Sequence, residues 1–257
     1  MLRVTEQLQR LLSIMETLRD PVKGCDWDKA QTHASIVPHT IEEAYEVADA
    51  VENGDPEELR QELGDLLFQT VFQSRIAEEA GNFAFDDVAR AISDKLEARH
   101  PHIFGDEDPS GGMTEDRWEA LKADERGAKG ANSAMDGVAK ALPALIRAQK
   151  LQKRAARTGF DWPDPSGPKA KVFEEIEELE SATSRDHKVE EAGDLLFAAV
   201  NLVRAYGITA EDALKAANQK FEARFRKMEE LAKGDFETLP IENQEALWQE
   251  AKHEERP

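Results

Sequence analysis

Apolar residues recur at helical spacing along almost the whole chain. Leu8, Leu11, Leu12, Met15 and Leu18 fall on one face of a first helix, which "RDPVKG" ends. Leu66, Leu67, Val71 and Ile76 carry a second stripe as far as Gly81, and Val88, Ile92 and Leu96 mark a third. No stretch shows the period-two alternation of a half-buried strand, so the pattern predicts an all-α protein. The main breaks are the low-complexity loop "GDEDPSGG" (105–112) and the linker "GAKGANSAMDG" (127–137).

Across the second break the chain repeats itself. Trp27 in "GCDWD" aligns with Trp162 in "GFDWP". Glu42, Glu43 and Glu46 align with Glu174, Glu175 and Glu178, and Glu62 and Asp65 align with Glu191 and Asp194. "KLEAR" (95–99) pairs with "KFEAR" (220–224). "RWEALK" (117–122) pairs with "LWQEAK" (247–252), matching Trp118 to Trp248 and Lys122 to Lys252. A repeat of roughly 130 residues is too long for a solenoid unit. The expectation is two related helical domains from an internal duplication, about 1–126 and 138–257, joined by the linker 127–137.

Composition narrows the function. Charged residues make up 33% of the chain and the net charge is −20, a surface that repels a nucleic-acid backbone and argues against a polymer partner. It leaves nucleotides open as ligands, provided metal ions screen their phosphates. The single cysteine, Cys25, excludes an intramolecular disulfide and suits a reducing cytoplasm. The first twenty residues lack the apolar core of a signal peptide. No apolar run approaches the ~20 residues of a membrane span. A cytoplasmic protein with no membrane partner is expected.

The acidic motifs carry the chemistry. Glu175 and Glu178 are i,i+3 neighbours on one helix face, and Glu191 and Asp194 repeat that spacing on the next helix. A short connection makes the two helices antiparallel neighbours, so the pairs can face each other. Burial of Leu195, Leu196 and Phe197 is expected to anchor the second helix, with Gly193 allowing close approach. Four carboxylates this close repel one another unless a cation sits among them. All-oxygen ligands favour Mg²⁺, with Mn²⁺ as a substitute. A Glu-rich helix face alone is ordinarily just solvated. The second pair and the duplication are what tip the reading towards a site. Glu43, Glu46, Glu62 and Asp65 repeat the set in the first half. Glu42, Glu174 and Glu177 read equally as surface charge or as groups that orient the ligands.

Cationic and aromatic residues complete the pattern. Lys220 and Arg224 are an i,i+4 pair preceded by Asn218, with Lys95 and Arg99 as counterparts. Trp248 and Lys252 share that spacing, as do Trp118 and Lys122, and Lys171 stands one turn before Glu175. Metal, Lys and Arg neutralise phosphates, and an indole can stack on a base, which together suit a nucleoside triphosphate. His100 and His102 in "RHPHIFG" lack acidic or cysteine partners at ligand spacing and read as loop residues. Cys25 has no paired histidine motif and reads as inert. No Walker loop and no GxGxxG occurs.

EExxE followed by ExxD, a GDLLF-type continuation and a downstream Lys/Arg helix resemble the MazG family of nucleoside triphosphate pyrophosphohydrolases. "RDPVKGCDWDKAQ", "GFDW" and the duplication resemble its two-domain form over nearly the whole chain. The resemblance implies an all-α pyrophosphohydrolase-like bundle, Mg²⁺ dependence, a homodimer, and cleavage between α- and β-phosphates to a nucleoside monophosphate and diphosphate. It implies a broad (d)NTP range, serving nucleotide-pool house-cleaning or nucleotide-level regulation. Carried over, Glu175, Glu178, Glu191 and Asp194 become catalytic metal ligands. Lys171, Glu174, Asn218, Lys220, Arg224, Trp248 and Lys252 meet the nucleotide. The C-terminal half is then the active one. Its motif differs from the N-terminal copy at Asn218, where the first half has Ser93, while the acids are the same in both. Glu174 and Glu175 are both candidates for the general base. Rivals are a nucleotide-binding regulator without turnover, a narrow dUTP- or dCTP-type pyrophosphohydrolase, and a di-iron bundle. The last calls for Glu-x-x-His motifs, and no histidine follows any of the four acids at that spacing.

Overall fold

The computed structural model describes residues 2–105, 112–128, 130–232, 234 and 236–254. Most of the 105–112 loop therefore lies outside the described residues. Regular structure in the described residues is helical, without a strand, and the chain divides into two units, Met1–Leu121 and Lys122–Pro257. No helix among them is long and apolar enough to cross a membrane.

The first unit contains α1 (Leu2–Leu18), α2 (Asp26–Ala30), α3 (His33–Asn53), α4 (Pro56–Glu79), α5 (Phe85–Arg99) and α6 (Pro101–Phe104). Helix α7 (Glu115–Ala128) starts in it and runs across the boundary. Local signals set the α3–α4 hairpin. The Thr32 hydroxyl accepts from the Ser35 amide while the Ser35 hydroxyl accepts from the Thr32 amide, a reciprocal cap that starts α3. Gly54 ends it in the left-handed region at φ 71, which a side chain would disfavour. Asp55 then caps α4 by accepting from the Glu57 and Glu58 amides, with Pro56 in the first turn. Only Gly54 and Asp55 separate the helices, so they must run antiparallel.

Met15, Ile36, Val71 and Phe72 form the core of this unit, with Leu11, Leu12, Phe68, Ile76 and Phe85 packed around them. Fully burying a side chain such as Phe72 is worth roughly 1.5–3 kcal/mol. The first two expected stripes supply much of this core. Ile92 and Leu96 of the third stay exposed. Arg19, itself buried, ties the α1 end to α4. Its guanidinium donates to the Glu79 carboxylate at 2.7–3.1 Å and to the Asp28 and Gln31 carbonyls, and it lies over the Phe72 ring at 5.4 Å.

The second unit contains α8 (Ala144–Arg157), α9 (Ser166–Ser181), α10 (Arg185–Ala205), α11 (Ala210–Leu231) and α12 (Ile241–Glu254). Residues 182–184 turn α9 into α10, and the Ser184 hydroxyl caps α10 by accepting from the His187 amide. Gln149 closes the start of α11 by accepting from the Ala210 amide at 2.9 Å. Helix α12 packs on α11 through Trp248 and Phe221, ring centroids 5.6 Å apart. Within the sequence-derived linker, the Ala134 and Asp136 carbonyls accept from Arg154, which pins that turn to α8.

Three expectations change here. Leu196 is 61% exposed and Phe197 43%, so GDLLF does not anchor α10 by burial of its closing residues. The buried positions fall one step later, at Ala198, Val200 and Asn201. A Cβ built on Gly193, or on its counterpart Gly64, meets no atom within 4 Å. Neither glycine therefore serves a close helix approach within the chain. Lastly, His100 and His102 belong to helix ends rather than a loop. His100 packs against Trp118 with the rings tilted and their centroids 5.5 Å apart, and His102 is buried in the single turn of α6.

Candidate active site

Each hairpin gathers its acids. Ligand oxygens of Glu175, Glu178 and Glu191 lie within 4.8 Å of one another, and those of Glu43, Glu46 and Glu62 do the same in the first unit. The i,i+3 step on α9 and the three-residue turn into α10 are what bring Glu191 opposite the other two. Asp194 stands outside its trio, lining the neighbouring cavity, and Asp65 stands outside the other. Glu175 is the buried member, and one of its oxygens, Oε2, has no partner among the described residues.

A lysine and a histidine contact the C-terminal acids. Lys171 Nζ lies 2.7 Å from Glu174 and 2.6 Å from Glu175, and His187 Nε2 lies 2.8 Å from Glu191. His187 was missed by the sequence reading, although its i,i+4 step to Glu191 was available as a signal. Lys171 donates to Glu174 and to Glu175, and these contacts, Glu174 first, hold its ammonium above the usual range. Partial loss of hydration raises the carboxyl of the exposed Glu178, and Glu175 and Glu191 push it further while Lys171 opposes them. In the first unit burial raises Glu43, with Glu46 and Asp65 adding to it, and burial likewise raises Glu62, with Glu46 and Asp65 behind.

The two copies differ around these acids. Gln69 donates to Glu43 at 3.3 Å, where the second unit has Ala198 at the aligned position. His39 occupies the position of Lys171. Trp27 packs edge-on against Phe72 of the core at 6.4 Å. Its counterpart Trp162 instead lines a cavity of about 620 Å³ that reaches Lys171, Glu175 and Asp194.

Lys220 and Asn218 are exposed on α11, and Arg224 and Lys252 are half-buried. Arg224 lies over the Trp248 ring at 5.4 Å, a pairing that Arg99 and Trp118 repeat at 4.9 Å. None of Asn218, Lys220, Arg224, Trp248 and Lys252 lines the cavity beside the carboxylates.

The acids fit a hard divalent cation. Three carboxylates converge where one lysine supplies positive charge, and a buried carboxylate oxygen has no partner among the described residues. A measurable consequence is that, in EDTA, the protein should melt at a higher temperature at pH 5 than at pH 7. A carboxyl raised above its ordinary value of 4.5 binds more protons folded than unfolded, so stability falls as pH rises through the window above 4.5. Carboxyls held low elsewhere, such as Asp161 by Arg204, work in the opposite direction but only near and below their ordinary value of 3.8. Adding Mg²⁺ at pH 7 should recover the difference. A higher melting temperature at pH 7 without metal would refute the account.

Comparison with known proteins gives a consistent picture. Residues 31–104 match the MazG nucleotide pyrophosphohydrolase domain, and residues 146–221 match phosphoribosyl-ATP pyrophosphohydrolase. The chain is 49% identical to a nucleoside triphosphate pyrophosphohydrolase of Escherichia coli, over 97% of this chain and 98% of that protein. It is 44% identical to the nucleoside triphosphate pyrophosphohydrolase/pyrophosphatase MazG of Thermotoga maritima, over 95% of each. It is also 42% identical to the protein YabN of Bacillus subtilis, over 95% of this chain and 51% of that one.

Proposed function

Because the chain belongs to the MazG family of nucleoside triphosphate pyrophosphohydrolases, we propose that it hydrolyses nucleoside triphosphates between the α- and β-phosphates. It is a hydrolase of phosphoanhydride bonds, and the C-terminal unit is assigned the turnover. The observation that carries this assignment is the convergence of Glu175, with its open buried oxygen, Lys171 and Asp194 on one cavity. Glu175, Glu178 and Glu191 would hold Mg²⁺ or Mn²⁺, with Asp194 beside them. Such an ion supplies Lewis-acid polarisation of phosphate oxygens and an acidified bound water.

The chain's own residues do the rest. Lys171 is placed to neutralise phosphate charge once the substrate draws it from Glu174 and Glu175. One carboxylate of the Glu174–Glu175 pair accepts the proton of the attacking water. The water oxygen bonds to the α-phosphorus, the bond from that phosphorus to the bridging oxygen breaks, and diphosphate leaves in line.

The same reading calls for a homodimer. Lys220, Arg224, Trp248 and Lys252 sit on α11 and α12, away from the cavity lining, so a second copy is the natural source of these groups for a completed site. The α9–α10 hairpin also leaves Phe173, Val189 and Leu196 exposed, and the α3–α4 hairpin leaves Ile41, Leu63 and Leu67 exposed. Solitary apolar side chains on a surface are ordinary, but contiguous ones mark a contact. Gly64 and Gly193, unused within the chain, lie on these same helices.

The deciding experiment is product analysis with a panel of NTPs, with Mg²⁺ and with EDTA. Diphosphate and nucleoside monophosphate should appear from several bases, and EDTA should stop the reaction. Nucleoside diphosphate and orthophosphate as first products would refute attack at the α-phosphorus. Tight binding without turnover would leave a nucleotide-sensing regulator.

A further inference from the structure

The second helices of the two acid-bearing hairpins start in the same register. Ser184 caps α10 and Asp55 caps α4, and in each the cap oxygen accepts from the amide of the third helical residue. From either cap the acids follow at equal steps, Glu191 and Asp194 in one copy and Glu62 and Asp65 in the other. The third residue is where the copies part: His187 in α10, Glu58 in α4.

Glutamate is the residue this position favours. A carboxylate in the first turn complements the helix dipole and can close a capping box, and an imidazole does neither. Glu58 stays with its own helix start, accepting from Asn53 Nδ2 at 3.4 Å. His187 reaches along α10 instead, and its Nε2 lies 2.8 Å from Glu191 Oε1. An ionised carboxylate only accepts, so Nε2 carries a hydrogen, and a neutral ring is enough for the bond. The Glu191 side chain is 12% exposed, so little water competes for it. The chain thus forgoes the better helix starter one turn before the acid cluster, the kind of local conflict found at functional sites. Glu62 receives the opposite treatment. Partial loss of hydration raises its carboxyl, Glu46 and Asp65 push it further, and Glu58 adds one more like charge where α10 has a donor.

We propose that His187 is a positioning residue for the C-terminal site: its Nε2–H fixes the Glu191 carboxylate so that the second oxygen is presented to the divalent cation shared with Glu175 and Glu178. The inference rests on the pyrophosphohydrolase reading. A ligand pre-set by an outer hydrogen bond has less freedom to lose when the ion arrives, and removing such a bond weakens metal binding roughly 10–100-fold. Identical acids then have unequal affinity for the ion, because the residue one turn earlier aligns the ligand in one copy and repels it in the other.

The test is Mn²⁺ binding to the nucleotide-free full-length chain, read by electron paramagnetic resonance. A Glu46→Gln background removes a carboxylate from the first unit, so the C-terminal site is the one measured. His187→Ala, at a half-exposed position with a good helix former, should raise the Mn²⁺ Kd about tenfold or more. His187→Gln retains an N–H donor at the same i,i+4 step and should stay within about threefold of the unsubstituted site. The Mg²⁺ concentration for half-maximal cleavage of ATP should rise in the same order, a shift that a merely structural role would not produce. An alanine variant within about twofold in Kd, or a glutamine variant as weak as the alanine one, overturns the assignment. If the wild-type chain forms no diphosphate from ATP, the pyrophosphohydrolase reading fails and takes this one with it. If diphosphate forms but Mn²⁺ binding ignores His187, the positioning role alone fails.

Discussion

Glu178→Gln is expected to lower turnover by roughly two orders of magnitude or more, while Glu46→Gln leaves the rate within a few-fold. Metal-borne stabilisation of phosphate charge is worth several kcal/mol, and about 1.4 kcal/mol is a factor of ten in rate. Glu178 is exposed, its replacement nearly preserves volume, and its charge is repelled by Glu175 and Glu191. The metal-free variant should therefore melt no lower than the wild type and lose most of the Mg²⁺-induced rise in melting temperature. Glu46 has the same neighbours in kind, but its site lacks Lys171 and has Gln69 engaging Glu43. Rates measured at saturating Mg²⁺, with circular dichroism to confirm folding, decide between the units. Equal losses from the two changes would mean two working sites and would sink the assignment of turnover to the C-terminal unit.

Arg19→Ala should cost about 3 kcal/mol of stability in the first unit, in the range for breaking a buried ion pair. The guanidinium satisfies two carbonyls in addition to Glu79, and all lose their donor together. Burial alone would raise the Glu79 carboxyl, but Arg19 and Arg75 outweigh it and hold the group below its ordinary value. Because Arg75 remains, the loss should sit at the low end of the ~3–5 kcal/mol seen when a buried partner is removed. Arg19→Lys should restore little, since an ammonium cannot reproduce the fork that meets the carboxylate and both carbonyls. Urea unfolding of the full chain reads the change, and a loss below about 1 kcal/mol would show the contact to be incidental.

Much of this architecture can be read in the sequence, because helical periodicity, capping residues and short turns are local signals. Thr32, Asp55 and Ser184 start helices where a cap is needed, and the i,i+3 acids converge because two- and three-residue turns allow one arrangement. What periodicity does not encode is which apolar stripe faces the chain's own core. Leu196 and Phe197 read as core and are exposed. In the same way Met15 and Val71 are core, while Ile92 and Leu96 at equal spacing are not. Gln152 shows the other limit. A glutamine in "AQKLQKR" carries no sign of burial, and only the packing of α8 on α10 gives it one satisfied end and one open end. Trp162 and Trp27 align, yet one lines a cavity and the other packs on a core phenylalanine. Duplicated motifs therefore predict shared backbone more securely than shared surroundings.

The short turns between the acid-bearing helices also govern the order of events in folding. Glu175 and Glu191 are sixteen residues apart, as are Glu46 and Glu62, so each cluster closes through a small loop of low entropic cost. The Arg19–Glu79 link spans 60 residues and the Gln149–Ala210 link 61, and contacts of that separation form later. Each hairpin thus brings its carboxylates together before long-range packing of α1 on α4, or of α8 on α11, has buried much apolar surface. Like-charge repulsion falls on the kinetic barrier, at a stage with little burial to offset it. If the acids bind a divalent cation as proposed, that cation is expected to speed folding of this chain as well, which refolding rates with Mg²⁺ and with EDTA would read.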